Sequence, residues 1–185
     1  MADGRNVPRQ AVAALSAAAA LCVPATGANA AVPKACAVLS APIAASLLKE
    51  ETRTIVSTPL ICQYGRASER ASTTRSTVGL TIVRNPSVAA AKATQRRLEQ
   101  IAPTKAPAGM TGYARGTLTV PGGEAAYVYY RQAGGPVVGG FVFMRIGAYT
   151  GQLTPDVRAA GGRAFTAADL KRAATQLASR WAKTG

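Results

Sequence analysis

Cys36 to Cys62 reads CAVLSAPIAASLLKEETRTIVSTPLIC, and this stretch decides how the rest of the chain is read. It holds two cysteines, with an apolar-faced segment behind the first and a β-prone segment before the second. Ser40 is placed to cap a helix with Pro42 in its first turn, and Leu39 to staple against Ala44. Ile43, Ala44, Leu47 and Leu48 then share one helical face, and Lys49 to Glu51 end the segment in solvent. Arg53 to Val56 is β-prone and stops at Thr58-Pro59. From Leu60 to Tyr64, residues 60, 62 and 64 share one face at period 2, so Cys62 ties the first helix to a sheet.

Upstream, Asp3, Arg5 and Arg9 make a short n-region of net positive charge. Ala11 to Val23 is an apolar run interrupted only by Ser16, and Pro24 to Ala30 is a small-residue stretch. Ala28-Asn29-Ala30 fits a small-x-small site, so cleavage is expected after Ala30. The apolar run is too short to span a bilayer, which needs about 20 residues. Cys22 follows Ala19-Ala20-Leu21, where a lipidation signal wants a small residue, so lipidation there is not expected. The reading is therefore a signal peptide over 1–30 and a single domain over 31–185, secreted or associated with the cell envelope. Cys22 leaves with the signal, and an even pair in an exported chain reads as a disulfide between Cys36 and Cys62. Closing a loop of about 27 residues removes roughly 3.5 kcal/mol of unfolded-chain entropy. Loss of Arg5, Arg9 and Asp3 leaves twenty basic against seven acidic residues, a balance of +13. That balance favours an anionic glycan, lipid or polymer as partner, although basic charge also aids solubility with no partner at all. Export argues against intracellular nucleic acid.

Downstream, Gly65 to Arg75 is rich in Ser, Thr and Arg and reads as an exposed loop. Thr77 to Val83 alternates, with Val78, Leu80 and Ile82 inward. Asn85-Pro86 reads as a helix start, Asn as cap and Pro at the first position. Val88, Ala91, Leu98 and Ile101 trace a stripe along that helix, with Lys92, Arg96 and Arg97 on its outer side. After a loop from Pro103 to Thr111 come short strands over 117–120, 125–131, 137–146 and 149–153, separated by glycine turns as in an antiparallel meander. Pro155 to Arg163 reads as a loop. Thr166 to Asp169 resembles a capping box, and Leu170, Ala173, Ala174, Leu177 and Trp181 follow as the cleanest amphipathic pattern in the chain. The expected fold is α+β: an antiparallel sheet of five or six strands with helices packed on one face and one disulfide.

The order of these signals resembles an uncharacterised two-cysteine domain family of exported proteins and lipoproteins of actinobacterial cell envelopes. The likeness rests on Cys36-Ala-Val-Leu-Ser40, Cys62-Gln-Tyr64, Gly123-Glu124-Ala125, Phe143-Met-Arg145-Ile-Gly147-Ala-Tyr149 and the closing amphipathic helix, and it covers roughly residues 34 to 184. It implies an α+β domain and supplies no catalytic residue. The chain departs from that pattern in lacking a lipidation signal.

The chain has no histidine, which removes the commonest metal ligand and the usual partner base of a Ser or Cys nucleophile. Paired cysteines leave no thiolate. Glu50 and Glu51 are neighbours that point apart on a helix, and Glu124 sits in a glycine turn. The glycine stretches lack the Lys-Ser/Thr of a phosphate loop. No catalytic, metal or cofactor site is therefore expected, and the leading reading is a non-catalytic binding domain. A secreted inhibitor or protein-interaction domain, and a small hydrolase working without histidine, are the rivals. The sharpest constellation is Tyr64-x-Arg66, Tyr113-x-Arg115 and Tyr129-x-Arg131, since i and i+2 on a strand face the same way. Gathered on one sheet face, they would set aromatic platforms beside guanidinium forks. The plainer alternative is that the tyrosines bury their rings and the arginines reach the rim.

The exported product should begin at Ala31 and carry no free thiol. Intact mass and thiol titration in denaturant check this, and two titratable thiols or a lipid-bearing start at Cys22 would defeat it.

Overall fold

The computed structural model describes residues 34–69, 76–102, 104–158 and 164–184. The expected signal peptide, its cleavage site and Cys22 lie outside the described residues, as do 70–75 of the expected loop after Gly65, Pro103, and 159–163. The fold is α+β, and its antiparallel sheet has seven strands rather than five or six.

The chain opens with the helical turn α1 (Ala35–Val38) and helix α2 (Ala41–Leu48), with Ser40 at the cap position but making no side-chain capping bond, and Pro42 in the first turn. Ile43, Ala44, Leu47 and Leu48 are buried as their spacing requires. Lys49 ends α2 in the left-handed region, at φ 57°. It does not run out into solvent: its ammonium donates to Asp169 Oδ2 at 2.8 Å. Strands β1 (Thr52–Ser57) and β2 (Ile61–Arg66) form a hairpin, and Cys36 bonds Cys62 with Cα atoms 5.0 Å apart. The disulfide thus pins α1 to β2. β2 continues through Gly65 and Arg66, both buried, where the sequence reads as exposed loop.

Strand β3 (Thr77–Arg84) turns Val78, Leu80 and Ile82 inward. Helix α3 (Val88–Ile101) begins two residues later than its Asn-Pro signal implies, and its cap is Ser87, whose Oγ accepts from Ala90 N. Asn85 instead hooks the β3–α3 corner to the sheet. Its amide donates to Thr150 Oγ1 at 3.1 Å and Ala148 O at 3.3 Å, and its Oδ1 accepts from Thr94 Oγ1 at 2.9 Å.

The meander runs through β4 (Met110–Val120), β5 (Gly123–Gln132), β6 (Val137–Ile146) and β7 (Tyr149–Arg158). The spatial order is β1-β2-β3-β7-β6-β5-β4, so β7 sits between β3 and β6 and joins the early hairpin to the meander. Pro155 lies inside this central strand, where a proline normally argues against a strand. The β6–β7 ladder pairs Gly139 with Asp156 and Val142 with Leu153, and Pro155 falls in the gap opposite Gly140. An N–H missing there falls in the interruption of the ladder, and the strand continues to Arg158.

The closing helix α4 (Ala167–Thr184) starts with the expected capping box: Thr166 Oγ1 accepts from Asp169 N at 3.2 Å, and Asp169 Oδ2 accepts from Thr166 N at 2.9 Å. Leu170, Ala173, Ala174, Leu177, Ala178 and Trp181 are buried. They join α1, α2 and the inward residues of the sheet in one core. Helices therefore cover one face, but not all of them. On β6, Val142 and Met144 point into that core, so Phe143 points the other way, and α3 docks there through a bond from Gln95 Nε2 to Phe143 O at 3.0 Å. The inner stripe of α3 is Ala91 and Gln95, while Val88 and Ile101 are exposed.

Leu177→Asp should abolish the folded state by burying an unpaired charge, whereas Arg172→Asp, on the exposed side of α4, should shift stability by about 0.5 kcal/mol or less. Thermal melts of both variants check it, and equal melting would mean that α4 does not dock as described.

Candidate functional site

The three Tyr-x-Arg pairs do not share one sheet face. Tyr64 and Arg66 lie on β2, Tyr129 and Arg131 on β5, and four strand steps separate them, about 19 Å at the usual spacing. Tyr64 belongs to the main core. Arg66 is only 4% exposed and acts as an anchor. Its Nε donates to Leu48 O at 3.0 Å and its Nη1 to Glu69 Oε1 at 3.2 Å, with Glu50 Oε2 at 3.8 Å. Glu69 also accepts from Ser76 N and Ser76 Oγ, and Ser76 Oγ accepts from Arg158 N at 3.1 Å. A guanidinium so engaged is not offered to a ligand. Tyr129 meets Phe165 edge-on at 5.7 Å on the core side, and Arg131 lies exposed two residues on.

Tyr113 and Arg115 lie on the opposite face, because their neighbour Ala114 packs on the main core. Burial pushes the Tyr113 phenol above its ordinary value, against the pull of the Arg115 charge. Arg115 reaches the end of α3, where its Nη1 donates to Ala102 O at 3.5 Å. Arg115, Arg96, Glu99, Gln100 and Thr104 there line an open cleft of about 410 Å³. Glu99 and Arg115 also line a narrower recess of about 70 Å³, floored by Ala126, Val128 and Phe143. Glu99 is positioned from below: Gln95 Nε2 donates to its Oε1 at 2.8 Å. Gln95 Oε1 is buried without a hydrogen-bond partner.

The basic surface continues along α3. Arg145 Nε donates to Glu124 Oε1 at 2.8 Å, across the register pair that joins β5 to β6. That hydrogen bond holds the Glu124 carboxyl below its ordinary range, burial opposes it, and the charges of Arg145, Lys92 and Arg96 add to the lowering. Four cations, Lys92, Arg96, Arg115 and Arg145, thus stand with two carboxylates, Glu99 and Glu124. Such a surface can hold an anion by charge and by the planar guanidinium forks of Arg96 and Arg115. Among the described residues, no group of three or more His, Cys, Asp or Glu is placed to hold a metal ion.

The outward placing of Lys92 and Arg96 was readable from helical period. The Glu124–Arg145 pair was also within reach, since folding the β5–β6 hairpin about Gly134-Gly135 sets 124 opposite 145. The burial of Gln95 had no sequence signal, because a polar residue in mid-helix reads as solvent-facing. No family model, curated protein or solved structure matches this chain.

Because the folded Glu124 is more acidic than the free side chain, its small contribution to stability is present above the ordinary glutamate pKa, about 4.3. It is lost as pH falls through the depressed folded value. Carboxyl carbon NMR should find Glu124 titrating below the ordinary glutamate value. Arg145→Ala should return it to the ordinary range, and Arg96→Ala should raise it less. No response to Arg145→Ala would remove the hydrogen bond as the cause.

Proposed function

We propose that this protein is an exported, non-catalytic binding domain of the cell envelope or its surroundings, and that it takes an anionic ligand in the cleft at the end of α3. The observation that carries the reading is the convergence of Arg96, from α3, and Arg115, from β4, on one open cleft. Two guanidinium groups from separate elements, each set by its own backbone, give a position-dependent site and not merely a diffuse coat of charge. The +13 balance of residues 31–185 supports the same reading by drawing anions toward the surface. Export is supported by the signal-like segment over 1–30 and by the Cys36–Cys62 disulfide, a bond that persists in oxidising compartments. No helix among the described residues is long and apolar enough to cross a membrane. The resemblance to exported actinobacterial envelope domains points the same way.

Vesicles of anionic phosphatidylglycerol should bind the protein at low salt, and neutral phosphatidylcholine vesicles should not. Binding should weaken as the reach of exposed charges shrinks from roughly 30 Å at 0.01 M salt to 10 Å at 0.1 M. Removing Arg96 and Arg115 together, each to Ala, should cost much more affinity than the equal charge loss of Arg172→Ala with Lys183→Ala on α4. Equal losses would reduce the attraction to nonspecific charge and end the proposal.

A further inference from the structure

The cleft and the recess share two walls, Glu99 and Arg115, but differ in chemistry. The outer space is polar and charged. The inner one is floored by the apolar side chains of Ala126, Val128 and Phe143, all projecting from the sheet face that α3 leaves open at its C-terminal end. Val128 and Phe143 are each only 3% exposed, so this floor is a packed surface and not a loose rim. At the mouth, Arg96 and Arg115 share the lining with Glu99, and Lys92 and Arg145 add positive charge along the same surface.

We infer that the ligand is an amphipathic anion: a carboxylate or phosphodiester group held between Arg96 and Arg115, with the end of a short apolar chain entering the recess below. This rests on the reading of the cleft as an anion site, and it adds the apolar part. The recess is small, so it accepts a few carbon atoms and no bulky ring system. Each methylene buried should tighten binding about fourfold.

The test uses the full exported protein and three probes, followed by backbone amide NMR. Octanoate has both parts, acetate has the charge without the chain, and 1-octanol has the chain without the charge. Octanoate should shift the amides of Thr117 and Ala126 and bind at least about tenfold tighter than either of the others. Ala126→Leu fills the recess and should bring octanoate down to the affinity of acetate while leaving acetate unchanged. Should Ala126→Leu fail to fold, Thr117→Phe narrows the same recess from an exposed position and decides the question. Equal affinity for octanoate and acetate at the cleft would overturn the apolar part and leave the anion site standing. Tightest binding by 1-octanol, or no response to any probe, would overturn both.

Discussion

The indole of Trp181 lies against Gly151, where an added Cβ would sit 2.5 Å from the ring. Gly151 belongs to β7, the strand that carries the early hairpin on one side and the meander on the other. The last helix therefore closes on the one strand both halves share, and any larger residue at 151 would lift it off. The remainder of the core follows from that contact. α4 covers the meander side, α1 and α2 cover β1 to β3, and the salt bridge between Lys49 and Asp169 joins the end of α2 to the start of α4.

The two faces of the sheet are built differently. Among the described residues, the face under α1, α2 and α4 is largely apolar, and the buried Arg66 at its edge is engaged by Leu48 O and Glu69. The face under α3 is held by polar bonds: Asn85 to Thr94 and Thr150, and Gln95 to Phe143 O. A helix held by a few directed bonds leaves part of the sheet uncovered beside it. That is why the cleft opens at the C-terminal end of α3 and not over the main core, where close packing leaves no room.

Several elements were legible in advance because their signals are local. The capping box at Thr166, the stripe from Leu170 to Trp181, the alternation of Val78, Leu80 and Ile82, and the cysteine pair all depend on neighbours a few residues away or on parity alone. The misreadings share a different cause. Pro155 reads as a strand breaker until Gly140 is seen opposite it in an interrupted ladder. Arg66 reads as a surface cation until Leu48 O and Glu69 are brought to it. Gln95 reads as solvent-facing until a strand carbonyl lies within reach of its amide.

The amino-acid sequence by itself determined the α+β class, the disulfide partners, the inward faces of β3 and α4, and the strongly basic balance, because each is set by periodicity, parity or composition. Only the tertiary structure decided the number of strands, the placing of α3 on the opposite face, and which arginines meet. Arg96 and Arg115 are nineteen positions apart, and nothing in their local sequence links them. They share a cleft because α3 runs across the sheet and ends above β4, a consequence of long-range packing that no local pattern encodes.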